Sequence, residues 1–243
     1  MFNRLKSMRG ISFLMVAALV AILYSCGKMN SNYADFIKDG EKVYSGRPDS
    51  LTAFSGNNRV KLQWLLVSDP KIVQCKVFWN NKADSIVIPV SRTAGVDTIR
   101  AMIDPLPEGL YAFQVFTYDK AGHTSVKAEV TAASYGETFA QSIFNRSLKS
   151  TTKSADGKNI FLSWFGVGQQ AVTVEVNYTN ASDQSVTRVL KEQFNDKGKS
   201  LGFASQDTLY SYKSGSSFKY RTGYLPTKTA IDTFYTDYKA VTP

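Results

Sequence analysis

The chain has 243 residues, with 29 Lys and Arg against 20 Asp and Glu, a formal net charge of +9, one His and two Cys. Charges of both signs are interspersed and no run of five basic residues occurs, which excludes the concentrated cationic stripe that nucleic-acid binding uses. There is no His/Cys metal cluster, no Ser/His/Asp order and no phosphate-cradling glycine loop, so a non-enzymatic protein with no cofactor and no metal is expected.

Arg4, Lys6 and Arg9 precede an apolar run from Ile11 to Leu23 that only Ser12 interrupts. At about thirteen residues this is short for a membrane-spanning helix, which needs roughly twenty, and fits the apolar core of a secretory signal. The run closes on LYSC at residues 23–26, with Leu three places before the cysteine and Ser directly before it, the form of a bacterial lipobox. The reading is a signal peptide over 1–25, a lipidated Cys26, and a short polar leash over 26–32. Two or more acyl chains anchor a protein stably, at roughly 0.8 kcal/mol per buried methylene. Loss of Arg4, Lys6 and Arg9 with the signal takes the net charge from +9 to +6. With Cys26 acylated, only Cys75 remains, so no internal disulfide is available and stability rests on hydrophobic cores.

From Tyr33 onward, short runs rich in β-branched and aromatic residues alternate with Gly, Asp, Asn, Ser and Pro. Helical periodicity is weak everywhere, with Thr138 to Leu148 the best candidate. RVKLQW at 59–64 returns as NIFLSW at 159–164, and alternation aims Val60, Leu62 and Trp64, then Ile160, Leu162 and Trp164, at a core. Val73, Cys75, Val77 and Trp79 answer to Val172, Val174, Val176 and Tyr178 ninety-nine residues on, which makes Cys75 a core thiol. LPEG at 106–109 followed by Tyr111, Phe113 and Val115 has the form of a tyrosine corner opening the sixth strand of a sandwich. Its counterpart is read as Phe218, which has no hydroxyl. DKAGHTS at 119–125 reads as a hairpin turn with Gly122 free for positive φ and His123 solvated; Val126 to Thr131 completes the first unit. The fold class expected is all-β, two tandem Ig-like or fibronectin-III-like sandwiches over 33–136 and 137–243, the second with a longer loop at 195–206.

Alternation also places residues on outer faces. Lys76 and Phe78 point away from the core on the third strand, as do Phe116 and Tyr118 on the sixth, and these two strands are neighbours in one sheet of this fold. Trp79 ends its strand and is the tryptophan most available to a ligand, whereas Trp64 and Trp164 are core. Phe78, Trp79, Phe116 and Tyr118 are therefore the candidate contact residues. The equivalent face of the second unit, Thr173, Glu175, Asn177, Lys219 and Arg221, is polar. A contiguous apolar patch marks a contact, with the second sandwich, a partner protein or a sugar face as the occupants considered.

GEKVYSGRPDS at 40–50, RVKLQW at 59–64, DSIVIP at 84–89, LPEG at 106–109, Asn145 with Arg146, and IDTFY at 231–235 resemble an uncharacterised family of Bacteroidetes outer-membrane lipoproteins over nearly the whole mature chain. The resemblance implies a place beside SusC/SusD-type glycan import. The function expected is an accessory, non-enzymatic component of a nutrient-import locus, anchored by Cys26 in the outer membrane with the cell-surface face favoured. Its expected partners are SusC/SusD-like outer-membrane proteins and a polysaccharide, and no nucleic acid. The alternative is a structural or adhesin-like spacer that mediates protein contacts at the cell surface.

Overall fold

Strand β2 (Val60–Leu66) buries Val60, Leu62, Trp64 and Leu66 completely and leaves Lys61, Gln63 and Leu65 half-exposed, a strict period of two. The computed structural model describes residues 43–243. The predicted signal peptide, Cys26, the leash and the opening of the first predicted sandwich lie outside the described residues. Among the described residues no helix is long and apolar enough to cross a membrane.

The first sandwich faces a three-stranded sheet against a four-stranded one. The three are β1 (Asp49–Ser55), β2 and β5 (Asp97–Ile103), in the order β1-β2-β5. The four are β4 (Asp84–Pro89), β3 (Ile72–Trp79), β6 (Gly109–Asp119) and β7 (Ala128–Ser134), in the order β4-β3-β6-β7. Between them lie Trp64, Cys75, Val77, Phe113 and Val115, all fully buried.

The second sandwich repeats the plan. β8 (Leu148–Lys153), β9 (Ile160–Trp164) and β14 (Gln206–Leu209) make one sheet. β11 (Ser185–Lys191), β10 (Ala171–Thr179), β15 (Phe218–Tyr224) and β16 (Phe234–Tyr235) make the other, with β17 (Lys239–Val241) also on β15. Trp164, Val174, Val176, Phe218 and Tyr220 form its core. This is a fibronectin-III-like pair of antiparallel sandwiches.

The structure corrects several expectations. Val73 and Val172 are only half-buried, and Ile72 and Ala171 take the predicted core places. The cause is a register shift between Ile72 and Gln74 and again between Ala171 and Thr173, at equivalent points of the two copies. An irregularity of this kind changes which face the strand start presents. Phe218 is not the counterpart of Tyr111. Val77 pairs with Val115 and Val176 with Tyr220, so Phe218 matches Phe113 and Ser216 occupies the place of Tyr111. The Tyr111 hydroxyl donates to the Pro107 carbonyl at 3.0 Å, whereas in the second copy Tyr212 donates forward to the Ser216 carbonyl at 2.5 Å. The helical candidate shrinks to α1 (Glu137–Ser142), and the loop at 195–206 belongs to a small hairpin of β12 (Gln193–Phe194) and β13 (Ser200–Gly202).

A buried threonine fixes the incoming chain in each copy. Thr117 donates to the Gly46 carbonyl at 2.6 Å, and the equivalent Thr222 accepts from the Arg146 amide at 2.8 Å. Both hydroxyls are fully buried, so their partners satisfy what would otherwise cost about 1–3 kcal/mol each.

One carboxylate stands at the centre of the junction between the two sandwiches. Asp232 accepts from Arg59 Nε at 2.9 Å, Arg59 Nη2 at 2.5 Å and the Asn57 amide at 2.8 Å, while the Ile231 amide donates to the Ser55 carbonyl at 2.8 Å. A Cβ on Gly56 would stand 2.5 Å from Asp232 Oδ2, so only glycine lets the chains approach this closely. Beside the clamp, Tyr135, Phe139 and Phe234 meet edge-on, with Phe139 5.2 Å from Tyr135 and 5.0 Å from Phe234. Glu108 holds α1 there by accepting from the Thr138 and Phe139 amides at 2.8 and 3.1 Å.

Hydrogen bonding from Arg59 holds the Asp232 carboxyl below the usual aspartate range. A depressed carboxyl stabilises the fold above the unfolded value near 4 and loses that contribution as pH falls through the folded value. Asp232→Asn is expected to loosen the junction at neutral pH as acid does in the parent. Urea denaturation of Arg59→Ala, Asp232→Ala and the double variant should give a coupling of about 1 kcal/mol. Small-angle scattering should show a broadened distribution of inter-sandwich distances; zero coupling with unchanged scattering contradicts the clamp.

Candidate functional site

Strand β3 ends in Phe78 and Trp79, then turns through Asn80, Asn81 and Lys82, all three with positive φ (49°, 54° and 69°). Left-handed backbone costs an ordinary L-residue about 1–2 kcal/mol, and asparagine tolerates it best among side-chain-bearing residues. The Asn80 side chain donates through Nδ2 to the Asp84 carboxylate at 2.6 Å and the Ala83 backbone amide returns to the Asn80 carbonyl at 3.0 Å, which tie the turn to β4. Strained turns held by their surroundings cluster at ligand sites.

Facing this turn is the start of β6. Between the two lies a cleft of about 280 Å³ lined by Phe78, Trp79, Asn81, Lys82, Tyr111 and Gln114 among others. Leu110, 76% exposed, stands at its rim. Trp79 is half-buried and packs one side on the core. Gln114 Oε1 is buried with no hydrogen-bond partner among the described residues, while its Nε2 is 3.5 Å from Glu129 Oε2.

Of the four predicted contact residues, the structure brings together three. Phe78 meets Phe116 edge-on at 5.8 Å, and Trp79 joins Phe78 in the cleft wall. Tyr118 pairs with Gln74, four residues from Phe78 along β3, which is roughly 13 Å by strand rise and outside the cleft. The two phenylalanines are half-buried because lysines cover them: Lys76 Nζ lies 4.7 Å from the Phe78 centroid and Lys82 Nζ 5.2 Å from that of Phe116. The strands bearing them pack against β4, β7 and the turn, and the sandwiches meet elsewhere, at Asp232. Asn81, Lys82, Leu110 and Gln114 escaped the sequence reading. The NNK that follows two aromatics was the available signal, since consecutive asparagines mark left-handed turns.

The second sandwich differs from expectation. Its polar face is covered by aromatics from the chain's own end. Arg221 stands where Phe116 stands in the first copy, bonds Glu175 at 2.7 Å, and lies 3.9 Å from the Tyr235 centroid and 4.8 Å from that of Tyr238. Asn177, the equivalent of Phe78, donates to the Tyr238 hydroxyl at 2.9 Å.

Other side chains take structural places. Cys75 is fully buried and burial pushes its thiol up to about 11, far from a thiolate at neutral pH. Trp64 and Trp164 are core, at 0% and 3% exposed. His123 is not simply solvated, because its Nδ1 lies 2.7 Å from the Asp119 carboxylate, which also accepts from the His123 amide. Among the described residues no group of three or more His, Cys, Asp or Glu could hold a metal ion.

A family model described as a domain of unknown function matches residues 26–234. No curated protein matches the chain. Among solved structures, the chain is similar to the FN1–FN3 domains of chicken CNTN1, at 12% identity over 83% of this chain and 68% of that one, with a TM-score of 0.42. It is also similar to a segment of two fibronectin type-III domains from chicken tenascin, at 10% identity over 80% of this chain and 97% of that one, with a TM-score of 0.28.

Replacing Asn81 tests the turn. Asn81→Gly should leave the urea midpoint unchanged or slightly higher, and Asn81→Val should cost about 1–2 kcal/mol. Equal effects of the two would contradict a left-handed requirement.

Proposed function

We propose that this chain, which belongs to the DUF4998 family, is a non-enzymatic binding protein whose ligand contact is the Trp79 cleft of the first sandwich. The observation that carries this reading is the union of aromatic walls with amide chemistry: Phe78, Trp79 and Tyr111 beside Asn81, Lys82 and Gln114, whose Oε1 has no partner among the described residues. Aromatic faces pack against the C–H faces of sugars, and fixed polar groups beside them orient a ligand through hydrogen bonds. A glycan is the ligand class that uses both. In this reading Cys26 carries the lipid that holds the protein at the outer membrane of a Bacteroidetes cell, on the surface side. The protein there serves SusC/SusD-like transporters as an accessory component. The lipobox at 23–26 and the motif resemblance support that placement.

A second reading, a rigid spacer for protein contacts at the cell surface, is favoured by one observation. The Arg59–Asp232 clamp joins the two sandwiches directly where a flexible linker would serve a tethered binding module.

Calorimetric titration against a panel of polysaccharides separates the two. The binding reading expects measurable affinity for at least one glycan, reduced about tenfold or more by Trp79→Ala, because removing the ring forfeits buried apolar contact at roughly 25 cal/mol per Å². Uniformly null titrations, with retention of outer-membrane partners in a pull-down, favour the spacer. Cys26→Ser should move the protein from the membrane to the soluble fraction, and persistent tight membrane association sinks the lipid anchor.

A further inference from the structure

Arg146 is 3% exposed and no carboxylate among the described residues reaches it. Its Nε donates to the Phe165 carbonyl at 2.8 Å and its Nη2 to the Ala204 carbonyl at 3.0 Å, while Nη1 is buried without a partner among the described residues. The guanidinium lies 5.5 Å from the ring centroids of both Trp164 and Phe203. A buried guanidinium without a counter-charge is costly, and such charges are ordinarily paired. Burial lowers its pKa.

The first sandwich supplies an internal control. Arg92 also fastens the carbonyl end of the tryptophan-bearing strand, donating to the Leu66 carbonyl at 2.9 Å, but it is paired with Asp97. Arg146 enters from a different segment, before β8, and makes a comparable carbonyl contact without a paired acid. In its place is a cavity of about 320 Å³ lined by Arg146, Val167, Gln169, Glu192 and Phe203 together with glycines 166, 168 and 202. Glu192, exposed, accepts a hydrogen bond from the Ser200 hydroxyl.

We infer that this cavity binds an acidic sugar, a hexuronic acid unit, whose carboxylate pairs with Arg146 and whose hydroxyls donate to Glu192. Guanidinium and carboxylate match in planar, two-bond geometry. A neutral sugar leaves the guanidinium unpaired, and an inorganic anion brings negative charge to Glu192 with no donor to offer it. The volume lies at the lower end of small-ligand pockets, about 300–1,000 Å³, which suits one ring. The site is separate from the Trp79 cleft, so either can fail without the other.

The test is ¹⁵N chemical-shift mapping on the full chain, titrated with galacturonate and, in parallel, with galactose, acetate, glycine and inorganic phosphate. Galacturonate is expected to move amides at 166–169, 192 and 202–204, with the other four at least tenfold weaker. Arg146→Met should abolish those shifts, and Glu192→Ala, at an exposed position, should weaken galacturonate several-fold. If Arg146→Met fails to fold by circular dichroism, Glu192→Ala and the location of the shifts decide. No shifts by about 50 mM galacturonate, shifts elsewhere, indifference to Glu192→Ala, or equal binding of any of the four controls would overturn the inference. Trp79→Ala should leave the galacturonate shifts intact, which separates this site from the first.

Discussion

A single carboxylate at the junction governs how the two halves of this protein behave as one body. Asp232 takes three donors from the first sandwich, two from Arg59 and one from the Asn57 amide, and leaves neither oxygen free. Gly56 permits the approach, and the Tyr135, Phe139 and Phe234 rings exclude water beside it. IDTFY at 231–235 therefore has a structural meaning: Asp232 clamps, Phe234 wedges, and Tyr235 turns back over Arg221. A short motif near the end of the chain fixes the junction and covers a sheet in one stroke.

Behind the clamp, one plan is executed twice with different surfaces. Thr117 and Thr222 hold the entering strands by the same hydroxyl at the same register position, and the register shift near the start of β3 recurs in β10. Outer positions have diverged completely. The cross-strand pair Lys76–Phe116 becomes Glu175–Arg221, and Phe78 becomes Asn177. Cross-strand neighbours at about 5 Å exchange small increments of energy, so a face can be rewritten without disturbing the core beneath it. Surface chemistry varied where the fold was indifferent.

That division explains what the sequence disclosed. Val60, Leu62 and Trp64 and their repeat could be read because burial of one strand face forces a period of two, and the cores followed. Val73 and Val172 were misassigned because a register shift is invisible to periodicity, which assumes one residue per step. Phe218 lies two residues along from the true counterpart of Tyr111, and a slip of two keeps the same strand face inward, so the alternation looks the same until a partner strand sets the register. The Phe78–Phe116 contact could be inferred because the two strands are neighbours in the fold. The left-handed turn that shapes the cleft is marked locally by its consecutive asparagines, whereas Tyr235 and Tyr238 lying over Arg221 depend on contacts distant in sequence. Arg146 stood out in the sequence only as part of the Asn145–Arg146 motif, because its burial without a paired acid is set by contacts distant along the chain.

Gly223 occupies the position that Tyr118 holds in the first copy. A Cβ there would come within 2.6 Å of Thr173 and 2.9 Å of Thr233 and Tyr235. The final strands of the chain can thus seat only against β15, since on β6 a full tyrosine ring fills the same space. Tandem domains with near-identical topology are prone to exchange strands while they emerge and fold, a characteristic route to misassembly. The tyrosine-for-glycine difference acts in one direction: it keeps the closing strands of the second half off β6, so those strands complete their own sandwich.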